Sequence, residues 1–327
     1  MSSSERTTRL APSPTGGLHL GNARSLLLNW AIARRSGWKV IMRMDDLDVV
    51  RSDPRTERSI LDSLAWLGID HDGSVRRQAT DLTPYRAALA DLAARGLVFT
   101  CSRSRRELRA AAEAIGAPHG DGANIVSTPS MRPTDPACWG VGSGDLNHRL
   151  KLDPGEVVIE DRLLGTSRLE PSDRFGDPIL WTRRDVPAYQ LASVVDDIRF
   201  GVTDVVRGED LVPSAALQQR LCGLLGTKPP TWWHLPLILD EEGRRLAKRD
   251  GDLTLDALRA SGIPPERVIG LIARTTGLRT ALAPMKIGSF IEELDLDRLA
   301  AWARAGSAAG GHRLETEDLD WLMQRTS

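Results

Sequence analysis

Thr7–Met44 is the stretch that most narrows the folds open to this chain. Thr-Thr-Arg-Leu-Ala at 7–11 reads as a short strand, broken by Pro12, Pro14, Gly16 and Gly17. From Gly21 to Arg35 the apolar residues Leu26, Leu27, Leu28, Trp30, Ala31 and Ala33 recur at helical density, and Gly37 ends that helix. Lys39–Met44 is a short apolar run of the buried-strand kind. Strand, glycine-bearing loop, helix and strand form a βαβ unit, which requires a parallel sheet.

The rest of the chain extends this α/β pattern. Helices are predicted near 55–67 and 84–95, and a strand at 98–101. Arg103–Ala114 reads as a basic helix, and 116–144 as a loop-rich insertion between two halves of the sheet. Short strand-like runs such as Glu156–Asp161 follow. Sheet-like signals return at Ala192–Val195 and Val202–Val206, then a helix at 214–225 and an apolar run at 234–239. Residues 253–327 are mostly helical by periodicity. The expected division is 1–101 and 187–252 for the two halves of one α/β domain, 102–186 for an inserted subdomain, and 253–327 for a helical segment.

Composition excludes several classes. With 41% hydrophobic and 27% charged residues over 327 positions, the chain reads as an ordinary globular protein of roughly two domains. Its net charge of -1 announces no general affinity for nucleic acid. Cys101, Cys138 and Cys222 do not make a disulfide framework, and Cys222 reads as a small core residue. The polar Met1–Arg9 and the absence of a long apolar run point to a cytoplasmic protein with no membrane partner. A monomer is expected.

Two elements carry chemistry. His19 and Gly21 stand where a Pro/Gly loop gives way to a helix. Such a helix start presents free N–H groups and positive dipole to a phosphate, and His19 can donate to charge developing there. Taken alone, the same residues also describe a turn with a surface histidine. Arg244-Arg245-Leu246-Ala247-Lys248-Arg249 follows an apolar run and a turn, and such a loop can neutralise a leaving pyrophosphate. Taken alone, it is equally a solvated basic run.

In this order the two elements resemble the paired signatures of class I aminoacyl-tRNA synthetases. His19–Asn22 is similar to the HIGH motif and Arg245–Arg249 to KMSKS. Arg9–Gly16 (RLAPSPTG), Arg43–Asp48 (RMDDLD), Tyr189–Asp197 (YQLASVVDD) and Val206–Asp210 (VRGED) resemble the glutamyl type. Only about 75 residues follow the basic loop. That length, with YQLA and Ala117–Gly122 (APHGDG), resembles the shorter glutamyl-queuosine tRNA(Asp) synthetases. The resemblance implies a Rossmann-like parallel-sheet catalytic domain, with an acceptor-side insertion and a stem-contact-like C-terminal helical segment. It implies His19 and Lys248 as catalytic residues, and ATP, carried with Mg²⁺, at Ser13, His19, Gly21, Asn22, Glu209 and Lys248. It implies the amino acid at Arg9, Ala11, Ser13, Asp45, Tyr189 and Arg207. Glutamate and tRNA(Asp) are the implied partners. The basic residues Arg103, Arg105, Arg106 and Arg109 are candidates for an RNA backbone.

The chain departs from that pattern twice. The subfamily's zinc site, a Cys-x-Cys pair with a Tyr and a further Cys, retains only Cys101; Arg103, Ser127 and Met131 stand at the other positions. Cys138, His119 and His148 have no supporting spacing, so zinc is not expected. Asp45 replaces the family Glu that meets the substrate's α-amino group, an acid shorter by about 1.5 Å. An adenylate-forming paralogue with another amino acid or a non-tRNA acceptor, and an inactive RNA-binding or regulatory module, therefore stay open beside the leading reading. Asp196 and Asp197 are expected to be structural rather than metal ligands.

Overall fold

The computed structural model describes residues 5–103, 107, 127, 129–142, 145–243 and 253–324. Strands β1 (Thr7–Leu10) and β2 (Lys39–Met44) run parallel, Thr7 opposite Lys39 and Leu10 opposite Met42. Helix α1 (Leu20–Arg35) connects them, and β3 (Arg76–Arg77) continues the parallel order beside β2. Every residue of β1 is buried, which explains its lack of polar alternation. Helix α2 (Pro54–Trp66) starts where the Asp53 carboxylate accepts from the Arg55 N–H at 2.8 Å, with Pro54 in the first turn. Helix α3 (Thr83–Ala94) leads into β4 (Val98–Cys101).

The second half builds two further sheets. β4 pairs antiparallel with β5 (Asn147–Leu150), and β5 with β8 (Ile179–Trp181). β6 (Val157–Asp161) and β7 (Gly165–Leu169) form a hairpin. β6 runs parallel to β10 (Thr231–Leu235), which is parallel to β9 (Asp204–Gly208). So β6 and β7, inside the span 102–186, hydrogen-bond into the sheet of β9 and β10.

That sheet meets the first one at β1. The Thr203 N–H donates to the Thr7 carbonyl at 2.9 Å, and Asn29 of α1 donates to the Arg9 carbonyl at 2.9 Å. Strand order reverses there, which opens a crevice at the C-terminal ends of β1 and β9.

The sheet expected at Ala192–Val195 is instead part of helix α5 (Tyr189–Arg199), which follows the short α4 (Pro171–Phe175). Residues Leu191–Asp197 are all buried. A helix buried on most sides gives the same short apolar run as a buried strand. Helix α6 (Val212–Leu224) carries Cys222, whose thiol burial pushes up to about 11.

The last segment is helical, as periodicity indicates: α7 (Leu255–Ala260), α8 (Pro265–Thr275), α9 (Ile287–Glu293), α10 (Leu296–Ala308) and α11 (Thr316–Met323). It also supplies β12 (His312–Arg313), parallel to β11 (Ile238–Leu239). Leu271, Phe290 and Ala303 share one apolar core with Leu27 of α1 and Met42 of β2. At about 1.5–3 kcal/mol per large buried side chain, this core fixes the segment against the first βαβ unit.

Candidate active site

A cleft of about 430 Å³ occupies the crevice. Arg9, Ala11, Ser13, Gly21, Asn22, Asp45, Tyr189 and Arg207 all line it. His19 and Glu209 are not among its lining residues, and Lys248 lies outside the described residues.

Arg207, at the end of β9, is only 7% exposed. Its Nη1 donates to Gln218 Oε1 at 2.9 Å and to the Tyr189 hydroxyl at 3.4 Å, and its Nη2 to the Leu211 carbonyl at 3.2 Å. Its Nε donates to His234 Nε2 at 3.2 Å. The guanidinium lies 4.9 Å from the centroid of the Trp232 ring. All these partners are neutral, so burial pulls the Arg207 pKa down. Among the described residues no carboxylate pairs with it. A buried, oriented cation facing a cleft without a counter-ion is a binding group for an anion.

His234 holds Arg207 in place. Its Nδ1–H donates to Asp161 Oδ2 at 2.6 Å, and its backbone N–H donates to the same carboxylate at 3.1 Å. This network assigns the neutral tautomer with Nε2 as acceptor. Burial also lowers the His234 pKa. Tyr189 is 42% exposed, so it is a cleft residue and not core packing.

The floor of the cleft is an ion-pair lattice. Arg43, 1% exposed, donates Nε to Asp45 Oδ1 at 2.7 Å and Nη2 to Asp45 Oδ2 at 3.3 Å. Its Nη1 donates to Asp197 Oδ1 at 2.9 Å, which also accepts from Arg9 Nε at 3.3 Å. Asp196 accepts from Gln78 Nε2 at 2.8 Å and from the Tyr85 hydroxyl at 2.9 Å. Asp196 and Asp197 are thus both bonded to neighbouring side chains of the floor. Burial raises the Asp45 carboxyl above its ordinary value against the pull of Arg43. Both Asp45 oxygens keep lone pairs for a further donor, since an ionised carboxylate has about four acceptor sites.

The other end of the cleft is built around the start of α1, with Gly21, Asn22, Arg24 and Ser25 in its lining. His19 is the N-cap of α1 with extended dihedrals, no side chain caps the helix, and its first turn holds no acid. The N–H groups near Gly21 and Asn22 therefore face the cleft with the dipole uncompensated. Opposite them lie Pro236–Ile238. The Glu209 carboxylate accepts from the Leu237 N–H at 2.9 Å, and the buried Arg24 donates Nη2 to the Pro236 carbonyl. The Leu237 carbonyl accepts from the His312 N–H at 2.8 Å. Glu209 thus shapes the cleft through Leu237. On the far side, His19 bridges Thr254, where the described chain resumes after the basic loop.

Sequence reasoning missed Arg24, Arg43, Asp161 and His234 as site residues. Arg43 had a signal: a lone arginine inside a strand-like apolar run must be buried with partners. His234 and Asp161 had none, being far apart in sequence.

Among the described residues no three His, Cys, Asp or Glu side chains group as a metal site. Thr100, beside Cys101 on β4, donates its hydroxyl to the Cys138 carbonyl at 3.1 Å, and the His148 ring lies on the Gly142 backbone. Ser127 and Met131 are buried, and His119, Arg105, Arg106, Arg109 and Ala117–Gly122 lie outside the described residues.

Comparison with known proteins agrees with this geometry. The family profile "tRNA synthetases class I (E and Q), catalytic domain" matches residues 5–296. The Glutamyl-Q tRNA(Asp) synthetase of Nocardia farcinica is 41% identical over 271 residues, 83% of this chain and 84% of that one. The Glutamyl-Q tRNA(Asp) synthetase of Symbiobacterium thermophilum is 37% identical over 305 residues, 89% and 93% of the two chains. A solved glutamate tRNA ligase from Elizabethkingia meningosepticum superposes with a TM-score of 0.78 at 25% identity, over 97% of this chain and 68% of that one. The strand reversal, the open helix start and these matches agree that the chain belongs to the class I tRNA synthetases of the E and Q group and is a ligase.

Proposed function

We propose that the chain activates glutamate with ATP and transfers the glutamyl group to queuosine of tRNA(Asp). The observation that carries the amino-acid half is Arg207, a buried cation with neutral partners facing the cleft. A dicarboxylate supplies the missing charge: Arg207 and Arg9 take its carboxylates, Ser13 and Tyr189 add hydrogen bonds, and Asp45 takes the ammonium. ATP lies along Ser13–Asn22 with its phosphates at the start of α1. Mg²⁺ arrives on the phosphates as their counter-ion.

An oxygen of the α-carboxylate attacks the α-phosphorus in line. The bond to the bridging oxygen breaks, and pyrophosphate leaves with that electron pair. His19 and Lys248 stabilise the charge on the phosphates. In the second step an acceptor hydroxyl attacks the activated carbonyl, AMP leaves, and the hydroxyl proton passes to the departing phosphate. The names of the relatives support tRNA(Asp) as acceptor.

The test is amino-acid-dependent pyrophosphate exchange with each amino acid, with and without tRNA. Exchange with glutamate in the absence of tRNA is expected. Exchange with a different amino acid favours the paralogue that the shorter Asp45 permits. No exchange with any amino acid identifies an inactive module and overturns the proposal.

A further inference from the structure

A second cavity, of about 280 Å³, lies among the end of α5, the middle of α6 and the loops that lead into β9 and β10. Those loops enter the strands at their N-terminal ends, whereas the catalytic cleft lies at the C-terminal end of β9. Among the described residues the two cavities share no lining residue. Yet three residues that line the second are direct partners of arginines that line the first. Asp197 Oδ1 accepts from Arg9 and Arg43, and Gln218 Oε1 accepts from Arg207. The Trp232 ring lies 4.9 Å from the Arg207 guanidinium. Two of these three have a polar atom left over. Gln218 is only 2% exposed, and its Nε2 has no partner among the described residues. Asp197 takes both arginines on Oδ1, and its Oδ2 has no partner there either. The rest of the wall is apolar, with Val194, Ile198, Val202 and Cys222. Burial pushes the Cys222 thiol up, so it is wall and not nucleophile.

We propose that this second cavity binds a small, uncharged, largely apolar amide, and that the bound amide tightens glutamate binding in the catalytic cleft. Its carbonyl accepts from Gln218 Nε2, and its N–H donates to Asp197 Oδ2. Charge decides against a carboxylate, which would face Asp197. The one cation of the lining, Lys228, is exposed at the rim, where solvent screens it. The volume lies at the lower end of ligand pockets, about 300 Å³, which suits a molecule of one ring. A bond at Nε2 fixes the Gln218 amide and polarises its Oε1 toward Arg207. Arg207 is then held in place before glutamate arrives, and less ordering is left for glutamate to do. This coupling rests on the reading of Arg207 and Arg9 as glutamate-binding groups; occupation of the cavity does not.

The test uses the full chain with benzamide as the probe and benzoate as its charged counterpart, each followed by calorimetric titration. Benzamide should bind the parent saturably, and benzoate about tenfold more weakly, since it leaves an acceptor facing an acceptor. Saturating glutamate should tighten benzamide about fivefold, and benzamide should tighten glutamate by the same factor, because coupling is reciprocal. Ile198→Phe and Val202→Phe fill the cavity from two sides. Each should lose benzamide binding roughly tenfold or more, while glutamate-dependent exchange without benzamide stays within about twofold of the parent. Parent-like thermal unfolding confirms that each variant folds. Absence of benzamide binding to the parent overturns the proposal, as does benzoate binding equally well. Benzamide that competes with glutamate belongs in the catalytic cleft, and benzamide retained by both variants lies elsewhere; either result also overturns it. Glutamate affinity that does not respond to bound benzamide overturns the coupling. If glutamate does not bind the parent at all, the reading of Arg207 fails on its own, and the benzamide titrations of parent and variants still decide the cavity.

Discussion

The two ends of the catalytic cleft are built differently. At the end proposed for the amino acid, side chains form the surface: Arg43, buried in β2, joins Asp45 to Asp197, and Arg9 shares Asp197. At the end proposed for the nucleotide the wall takes its shape from backbone, the start of α1 and Pro236–Ile238, with Arg24 bonded to the Pro236 carbonyl and Glu209 and His312 bonded to the Leu237 backbone. A charge lattice fails when one member is lost, because its partners stay buried and unpaired. A backbone surface tolerates substitution of its own residues and responds instead to whatever braces it.

The largest effect should come from Arg43. Arg43→Met strands Asp45 and Asp197 in the cleft floor and should cost about 3–5 kcal/mol, with exchange abolished. Thermal unfolding and exchange check it. A stable, active Arg43→Met would mean that the two ends do not differ in kind. Next is Arg207→Lys, which keeps charge but loses the planar fork held by Gln218, Leu211 and His234. The KM for glutamate should rise at least roughly tenfold, as expected for a charged hydrogen bond worth about 1.5–3 kcal/mol, with the KM for ATP little changed. Equal changes in both constants would erase the comparison.

How much of this was legible depended on sequence distance. β1, α1 and β2, with the loop carrying His19 and Gly21, read directly from local pattern because each is a local periodicity punctuated by Pro and Gly. Arg9, Asp45, Tyr189 and Arg207 were reached through their motifs, and all line one cleft. Arg24 and the Asp161–His234 support were not, because partners 212 and 73 residues apart leave no periodic trace. Ala192–Val195 misled because burial on most sides erases the contrast between the helical and strand periods.

The His234 support sharpens the amino-acid end through pH. Its folded pKa is lowered, so the unfolded chain binds the proton more readily. The stability that neutral His234 contributes is present above the ordinary histidine pKa of about 6.5 and is lost as pH falls through the folded value. Protonation also places an N–H against the Arg207 donor. Glutamate binding should therefore weaken more than ATP binding once the pH falls through this lowered folded value, which lies below the ordinary histidine pKa of about 6.5. His234→Gln, whose amide oxygen can accept from Arg207 without titrating, should flatten that difference in isothermal titrations run across the range. A pH dependence that persists in His234→Gln assigns it elsewhere, with Asp45 as the next titrating group in the cleft.

The smallest effect tests the nucleotide end. Glu241 lies two residues beyond Leu239, just past the cleft wall, and its carboxylate accepts from the Thr316 N–H at 2.6 Å and from the Thr316 hydroxyl. Leu314 donates to the Leu239 carbonyl at 2.9 Å, so the C-terminal segment grips the same strand at successive points. Glu241→Ala removes one exposed grip and leaves the β11–β12 pairing, so stability should change by only about 0.5 kcal/mol. If the wall is positioned by these braces, the KM for ATP should still rise by about two- to threefold, while the KM for glutamate stays put, because among the described residues no hydrogen bond or ion pair joins Arg9, Arg43, Asp45, Tyr189 or Arg207 to this strap. Unchanged kinetics would show the wall to be fixed by Arg24, Glu209 and the strand pairing alone. A rise in both constants would show that the two ends move together, and that the division between a side-chain end and a backbone end is one of composition only.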